Sequence, residues 1–162
     1  MTLNTAQYQG RQFDLLVLRG AQPLGEVLLN QTVFGPESSG EVCTGVQTLA
    51  QRWTLEFLTI PGSMPFLPKR GCDFLSAFFG GQLRSELDVQ QMFLVAAAQV
   101  RSKLSAEETD DMNPEERLDQ AELTGVTITP ESLNLAISIT SLAGTARAVI
   151  LPISVLPIRT IV

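Results

Sequence analysis

Residues 58–74 forbid a continuous helix through the middle of this chain. Three prolines (Pro61, Pro65 and Pro68) and two glycines (Gly62 and Gly71) fall within 17 residues. Each proline removes a backbone donor and drives the residue before it toward extended geometry. The same stretch carries Phe66, Leu67 and Phe74, which a solvated linker would not need. It reads as an ordered, rigid, partly buried connector that fixes one element against another, or against a partner.

On its N-terminal side, Ser38 and Glu41 match a capping box, which predicts a helix from about Glu41 to Phe57. Val42, Val46, Leu49, Ala50, Trp53 and Phe57 recur at helical steps as one apolar stripe. Gln47, Gln51, Arg52 and Glu56 lie largely off it. Leu55 and Leu58 also lie off the stripe, which implies a second covered face. Pro61 and Gly62 end the helix by Ile60. Beyond the connector, Gly80-Gly81 reads as a turn. Ser85 with Asp88 then caps a second helix over about Leu87–Leu104, with Val89, Met92, Phe93, Ala96, Val100 and Leu104 as its stripe.

The acidic run from Ser105 to Asn113 reads as a solvated loop or a frayed helix end. Asn113-Pro114-Glu115-Glu116 is a helix-start signal for one or two turns. The rest is β. A strand over Glu122–Thr129 slips phase at Gly125, which suggests a bulge. Leu133, Leu135, Ile137 and Ile139 alternate with polar or small residues as a half-buried antiparallel strand. Val149, Leu151, Ile153 and Val155 line one face of a third strand, which Pro152 assigns to an edge. Leu156–Val162 reads as an extended tail. Upstream of everything, Phe13–Leu18 and Leu24–Leu29 flank a Gly20–Pro23 turn, which predicts an N-terminal β-hairpin. The expected organisation is a hairpin extension over residues 1–35 and an α+β domain over residues 36–162. That domain holds two helices joined by the Pro/Gly connector, then an antiparallel three-stranded meander.

A chain of 162 residues, 44% apolar with a mean hydropathy of +0.18, can bury one core. It shows no membrane-length apolar run and no basic-then-apolar leader, so residence in a cytoplasm is expected. The net charge of −6 opposes binding to a phosphate backbone and suits solubility or docking onto a basic protein. The two cysteines, Cys43 and Cys72, have no metal or redox spacing and read as reduced, partly buried apolar residues. Histidine is absent, which removes the Ser-His-Asp and Cys-His arrangements and the commonest zinc ligand.

The remaining chemistry is thin. Glu107, Glu108, Asp110, Asp111, Glu115 and Glu116 could supply a carboxylate pair for glycoside hydrolysis, but no apolar residue is placed to raise the pKa of one of them. They read as a solvated face with helix-start charges. Calcium-loop spacing is missing, and Gly80-Gly81 lacks the Lys and Ser/Thr of a phosphate loop. Lys69-Arg70 reads as a surface pair or an ion-pair source. No catalytic residue, cofactor or metal site is expected. Trp53 and Phe57 are most simply core, with part of this aromatic region available to an interface.

A helix running into Leu58-Thr59-x-Pro61-Gly62, then Pro65 and Pro68-x-x-Gly71-x-Asp73-Phe74, resembles the baseplate wedge proteins of contractile phage tails, with relatives in type VI secretion and other contractile injection systems. The order of helix, connector, helix and meander is similar from about Gly40 to Val155. The family's Glu-Pro-Arg triplet has only a rearranged counterpart in Pro114–Leu118, and the N-terminal hairpin has none in the minimal family domain.

The resemblance implies a structural viral protein of the virion: a sheath-initiating wedge subunit in the tail baseplate, assembled in the host cytoplasm. Its implied partners are other baseplate wedge proteins, the tail sheath protein and the hub or tube proteins, at six copies per particle or a multiple of six, without nucleic acid or membrane. The wedge interface would use Trp53, Phe57, Pro61, Gly62, Phe66, Leu67, Pro68, Lys69, Arg70, Gly71 and Phe74. Sheath strand exchange would use Val149, Leu151, Ile153, Val155, Leu156, Ile158 and Ile161. The alternatives are a small carboxylate-dependent cell-wall glycosidase, or a wedge subunit of a type VI secretion or tailocin baseplate.

Overall fold

The computed structural model describes residue 12 and residues 14–15, 42–130 and 132–154. Its elements run β1 (Asp14–Leu15), β2 (Val42–Cys43), α1 (Val46–Phe57), α2 (Phe74–Phe79), α3 (Glu86–Glu107), a 3₁₀ turn (Pro114–Glu116), β3 (Leu118–Ile128), β4 (Ser132–Ser141) and β5 (Ala146–Ser154). The described residues form an α+β fold in which the three helices precede an antiparallel sheet of order β3-β4-β5. No helix among them is long and apolar enough to cross a membrane.

The sheet follows from alternation. On β4, Leu133, Leu135, Ile137 and Ile139 are buried while the residues between them are half-buried. Register pairs Leu135 with Val126 and with Leu151, and Ile137 with Leu123 and with Val149, so one apolar face runs across all three strands. The expected bulge is present: the β3–β4 register shifts between Leu123 and Gly125. β3 starts at Leu118, earlier than its alternation suggested, with a second shift between Leu118 and Gln120. Pro152 lies on β5, whose one partner among the described residues is β4, the edge position expected for it. Val155, Leu156, Ile158 and Ile161 lie outside the described residues.

Against this face pack α1 and α3. α3 matches its sequence signature: Ser85 Oγ accepts from the Asp88 amide and Asp88 Oδ2 accepts from the Ser85 amide, a complete capping box. The Ser85 hydroxyl and neighbouring amides hold the Asp88 carboxyl below its ordinary pKa. Val89, Phe93, Ala96, Val100 and Leu104 are buried and Met92 packs beside them. Trp53 stacks on Phe57 at 4.8 Å, Phe57 meets Phe74 at 4.8 Å, and Phe93 lies 6.2 Å from Trp53.

Three expectations need correcting. α1 does not begin at Glu41, because Val42–Cys43 is extended and pairs antiparallel with Asp14–Leu15. The helix starts at Val46 behind Gly45, whose φ of 63° and ψ of −140° suit glycine alone. The described part of the N-terminal strand therefore pairs with the segment before α1; the Leu24–Leu29 return strand lies outside the described residues. Second, the connector ends in a helix of its own: α2 buries Phe74, Leu75 and Ala77. A reciprocal pair, Asp73 N–H to Gln99 Oε1 at 3.0 Å and Gln99 Nε2 to Asp73 Oδ2 at 2.7 Å, ties its start to α3. Third, α1 has no simple polar side. Gln51 and Glu56 are buried, whereas Leu55 and Leu58 are exposed.

Candidate functional site

The connector is a closed loop whose ends meet. The Cys72 N–H donates to Thr59 O at 2.9 Å, and inner turns close through Gly62 N–H to Pro68 O, Ser63 N–H to Ile60 O, Leu67 N–H to Met64 O and Arg70 N–H to Leu67 O, all at 3.0–3.1 Å. Gly71, at φ 94°, lets the two ends touch: a Cβ there would overlap the Thr59 carbonyl oxygen and stand 2.6 Å from its carbon. These five hydrogen bonds pair ten of the loop's backbone groups inside the loop without a regular element, which gives it one shape.

A buried carboxylate on α1 holds the loop to the helices. Glu56 Oε1 accepts from the Gly71 N–H at 2.8 Å, and Glu56 Oε2 accepts from Arg70 Nη1 at 3.0 Å. Lys103 of α3 lies 3.7 Å from Glu56 Oε1 and donates to the Gly71 carbonyl. Arg70 continues to Glu107 Oε1 at 2.5 Å, and Arg52 reaches Glu107 Oε2 at 3.5 Å. The hydrogen bond Arg70 donates to Glu56, with the charge of Glu107, raises the Arg70 pKa above its ordinary value against the opposing effect of burial. Beneath the loop, the Cys72 thiol donates to Phe57 O at 3.2 Å, and desolvation pushes its pKa up to about 11. Neither cysteine is in a disulfide, and both are buried.

What the loop presents outward is apolar. Phe66 is 96% exposed and Leu67 52%, with Met64, Leu55 and Leu58 exposed nearby. The loop's closure uses backbone and Glu56, so Phe66 and Leu67 are left on its outer surface, where an interface reading needs them, while Phe74 is buried. Pro61, Gly62, Pro68 and Lys69 are exposed as well. Two grooves flank the loop. One, of about 420 Å3, runs between residues 66–70 and the last turns of α3; the other, of about 270 Å3, lies between Met64, Leu67 and α1.

The structure divides the expected wedge-interface residues. Phe66, Leu67, Pro68, Lys69 and Arg70 share one surface. Trp53, Phe57 and Phe74 are 0% exposed and belong to the core, so a partner reaches them only if the chain opens. Val149, Leu151 and Ile153 likewise point into the core, and what β5 offers outward is its backbone edge.

Sequence reading missed two features. Glu116 is fully buried: its carboxylate accepts from the Gln12 N–H at 3.0 and 3.1 Å and from the Gly45 N–H at 3.2 Å, joining the N-terminal strand to the start of α1. It is enclosed by backbone rather than facing Glu115 across a cleft. The outer side of α3 is also apolar, with Leu87, Leu94 and Val95 exposed. Their seven- and eight-residue spacing is a helical-face signal that the buried stripe obscured. Among the described residues, no three His, Cys, Asp or Glu side chains are grouped to hold a metal ion. Comparison with protein-family models, curated proteins and solved structures gave no match for this chain.

Proposed function

We propose that this chain is a structural, non-enzymatic subunit of a contractile-tail baseplate, a wedge protein whose connector loop docks on neighbouring subunits and whose sheet starts the sheath. The observation that carries the reading is the loop itself: internally closed, clamped by a buried Glu56, and holding Phe66 96% exposed. Fixing an apolar side chain in water has no benefit for the isolated fold, because burying a phenylalanine is worth about 1.5–3 kcal/mol. A neighbour that covers it recovers that term and finds the loop already in one shape, so little ordering entropy is lost on assembly.

The β-sheet supports the second half of the reading. Among the described residues β5 is an edge strand, and its free backbone edge suits pairing with an arm of a sheath subunit. The implied partners are wedge, sheath and hub or tube proteins in a six-fold particle.

The test is complementation of a tailed particle lacking this chain. Wild type should restore baseplates that contain it in a multiple of six copies, by quantitative mass spectrometry. Phe66→Ser with Leu67→Ser should leave the chain folded but absent from particles, and deletion of Leu156–Val162 should give baseplates without sheath. Purified particles that lack the wild-type chain altogether would overturn the proposal.

A further inference from the structure

The larger groove beside the loop differs in charge from the molecule around it. The chain carries −6, yet the groove is lined by three cations, Lys69, Arg70 and Lys103, against two carboxylates, Glu56 and Glu107. Both carboxylates are engaged: Glu56 by Arg70, Lys103 and the Gly71 N–H, and Glu107 by Arg70 and Arg52. Lys69 is exposed, and among the described residues it has no ion pair or hydrogen bond. Leu67, Pro68 and Ala106 form the apolar part of the lining, with Phe66 at its rim.

We infer that this groove receives a partner segment in which an apolar side chain sits beside a carboxylate. The apolar group would lie on Leu67 and Pro68 under Phe66, and the carboxylate on Lys69. The inference rests on reading the loop as an assembly contact and names the chemistry of what it contacts. A volume of about 420 Å3 holds one large side chain with its flanking backbone. A purely apolar segment would desolvate Lys69 without a partner, which is unfavourable. A basic segment would meet the surplus of positive charge, and like-charge contact is a strong discriminator between partners. A second copy docked about a two-fold axis would set this cationic lining against its own image. The acidic–apolar segment satisfies both halves of the groove.

Two blocked octapeptides of identical apolar pattern, one with glutamates and the other with lysines, would be titrated into the ¹⁵N-labelled full chain. The glutamate peptide should shift the amides of Leu67, Lys69 and Arg70 and bind at least about tenfold tighter than the lysine peptide. Lys69→Glu should reverse that order, while its unchanged spectrum elsewhere shows that the fold is intact. Equal binding of the two peptides, shifts centred on Leu87 and Leu94 of α3, or concentration-dependent shifts without peptide, which mark a second copy, would each overturn the inference. The outcomes separate from those of the baseplate proposal: charge-blind binding by a chain that still enters particles defeats this inference alone, whereas correct peptide preference in a chain absent from particles defeats only the baseplate reading.

Discussion

Gly71→Ala tests whether the loop is shut by close contact or merely by favourable turns. Gly62 supplies the control. Both glycines have positive φ, 79° at Gly62 and 94° at Gly71, so alanine at either incurs the left-handed backbone penalty of about 1–2 kcal/mol. They differ in what a methyl group meets. Around Gly62 nothing lies within 4 Å, whereas at Gly71 the methyl overlaps the Thr59 carbonyl. Relieving that overlap separates the loop ends and strains two bonds: Cys72 N–H to Thr59 O, and Gly71 N–H to the Glu56 carboxylate. A neutral hydrogen bond is worth about 1 kcal/mol and one to a charged group about 1.5–3 kcal/mol. Gly71→Ala should therefore destabilise by about 3–5 kcal/mol and Gly62→Ala by about 1–2 kcal/mol. Urea denaturation followed by fluorescence of Trp53, the one tryptophan, measures both. If the two variants agree within about 0.5 kcal/mol, the close approach of residues 59 and 71 is not what holds the loop.

Three further outcomes are expected. Glu56→Gln should destabilise by about 2–4 kcal/mol, since it strips a buried acceptor from Arg70 and Lys103, while Glu107→Gln, at the half-exposed end of the same network, should change stability by less than about 1 kcal/mol in the same urea assay. Cys72 keeps its proton in the folded state until about pH 11, whereas an unfolded thiol loses it near pH 8.5. Its contribution is thus complete below about pH 8.5 and lost as pH rises toward 11. The fall should reach about 2 kcal/mol by denaturation at pH 8, 9.5 and 10.5, and a Cys72→Ala variant that falls as steeply would refute this cause. Phe66→Ser should leave the unfolding free energy in urea unchanged within about 0.5 kcal/mol, because the ring touches little of its own chain.

Local patterns were readable wherever one stretch carried its own signal. The Ser85–Asp88 capping box, the β4 alternation and the phase slip at Gly125 each lie within a few residues, and each feature is present where its pattern placed it, although β3 begins four residues earlier and α3 ends three residues later than expected. The start of α1 failed for the opposite reason. Val42–Cys43 fits a helical stripe locally, but pairing with Asp14–Leu15 makes it a strand, and Gly45 then opens the helix. α2 was hidden by its brevity. Six residues make too little pattern, although Asp73 before and Gly80 after the apolar run were usable boundary signals. Within the candidate site, the rigidity of the loop and the outward placement of Phe66 and Leu67 were legible, but the clamp that holds them there was not. Which of Phe57, Phe66 and Phe74 is enclosed depends on the Glu56 clamp, and Glu56 lies on a helix face that sequence alone assigns to solvent.

Glu116 has a consequence for how the chain is made. Its carboxylate closes on Gly45, 71 residues earlier, and on Gln12, 104 residues earlier. Synthesis runs from the N-terminus at about 5–20 residues per second, so the start of α1 waits roughly 4–14 s for its acceptor to emerge. During that interval α1, the loop and all of α3 are synthesised before the residue that accepts from Gln12 and Gly45. Contacts so distant along the chain also slow folding once it is complete. The nascent protein therefore finishes its fold from the back, and a ribosome paused before residue 116 should carry a chain whose Gln12 and Gly45 amides still lack their acceptor.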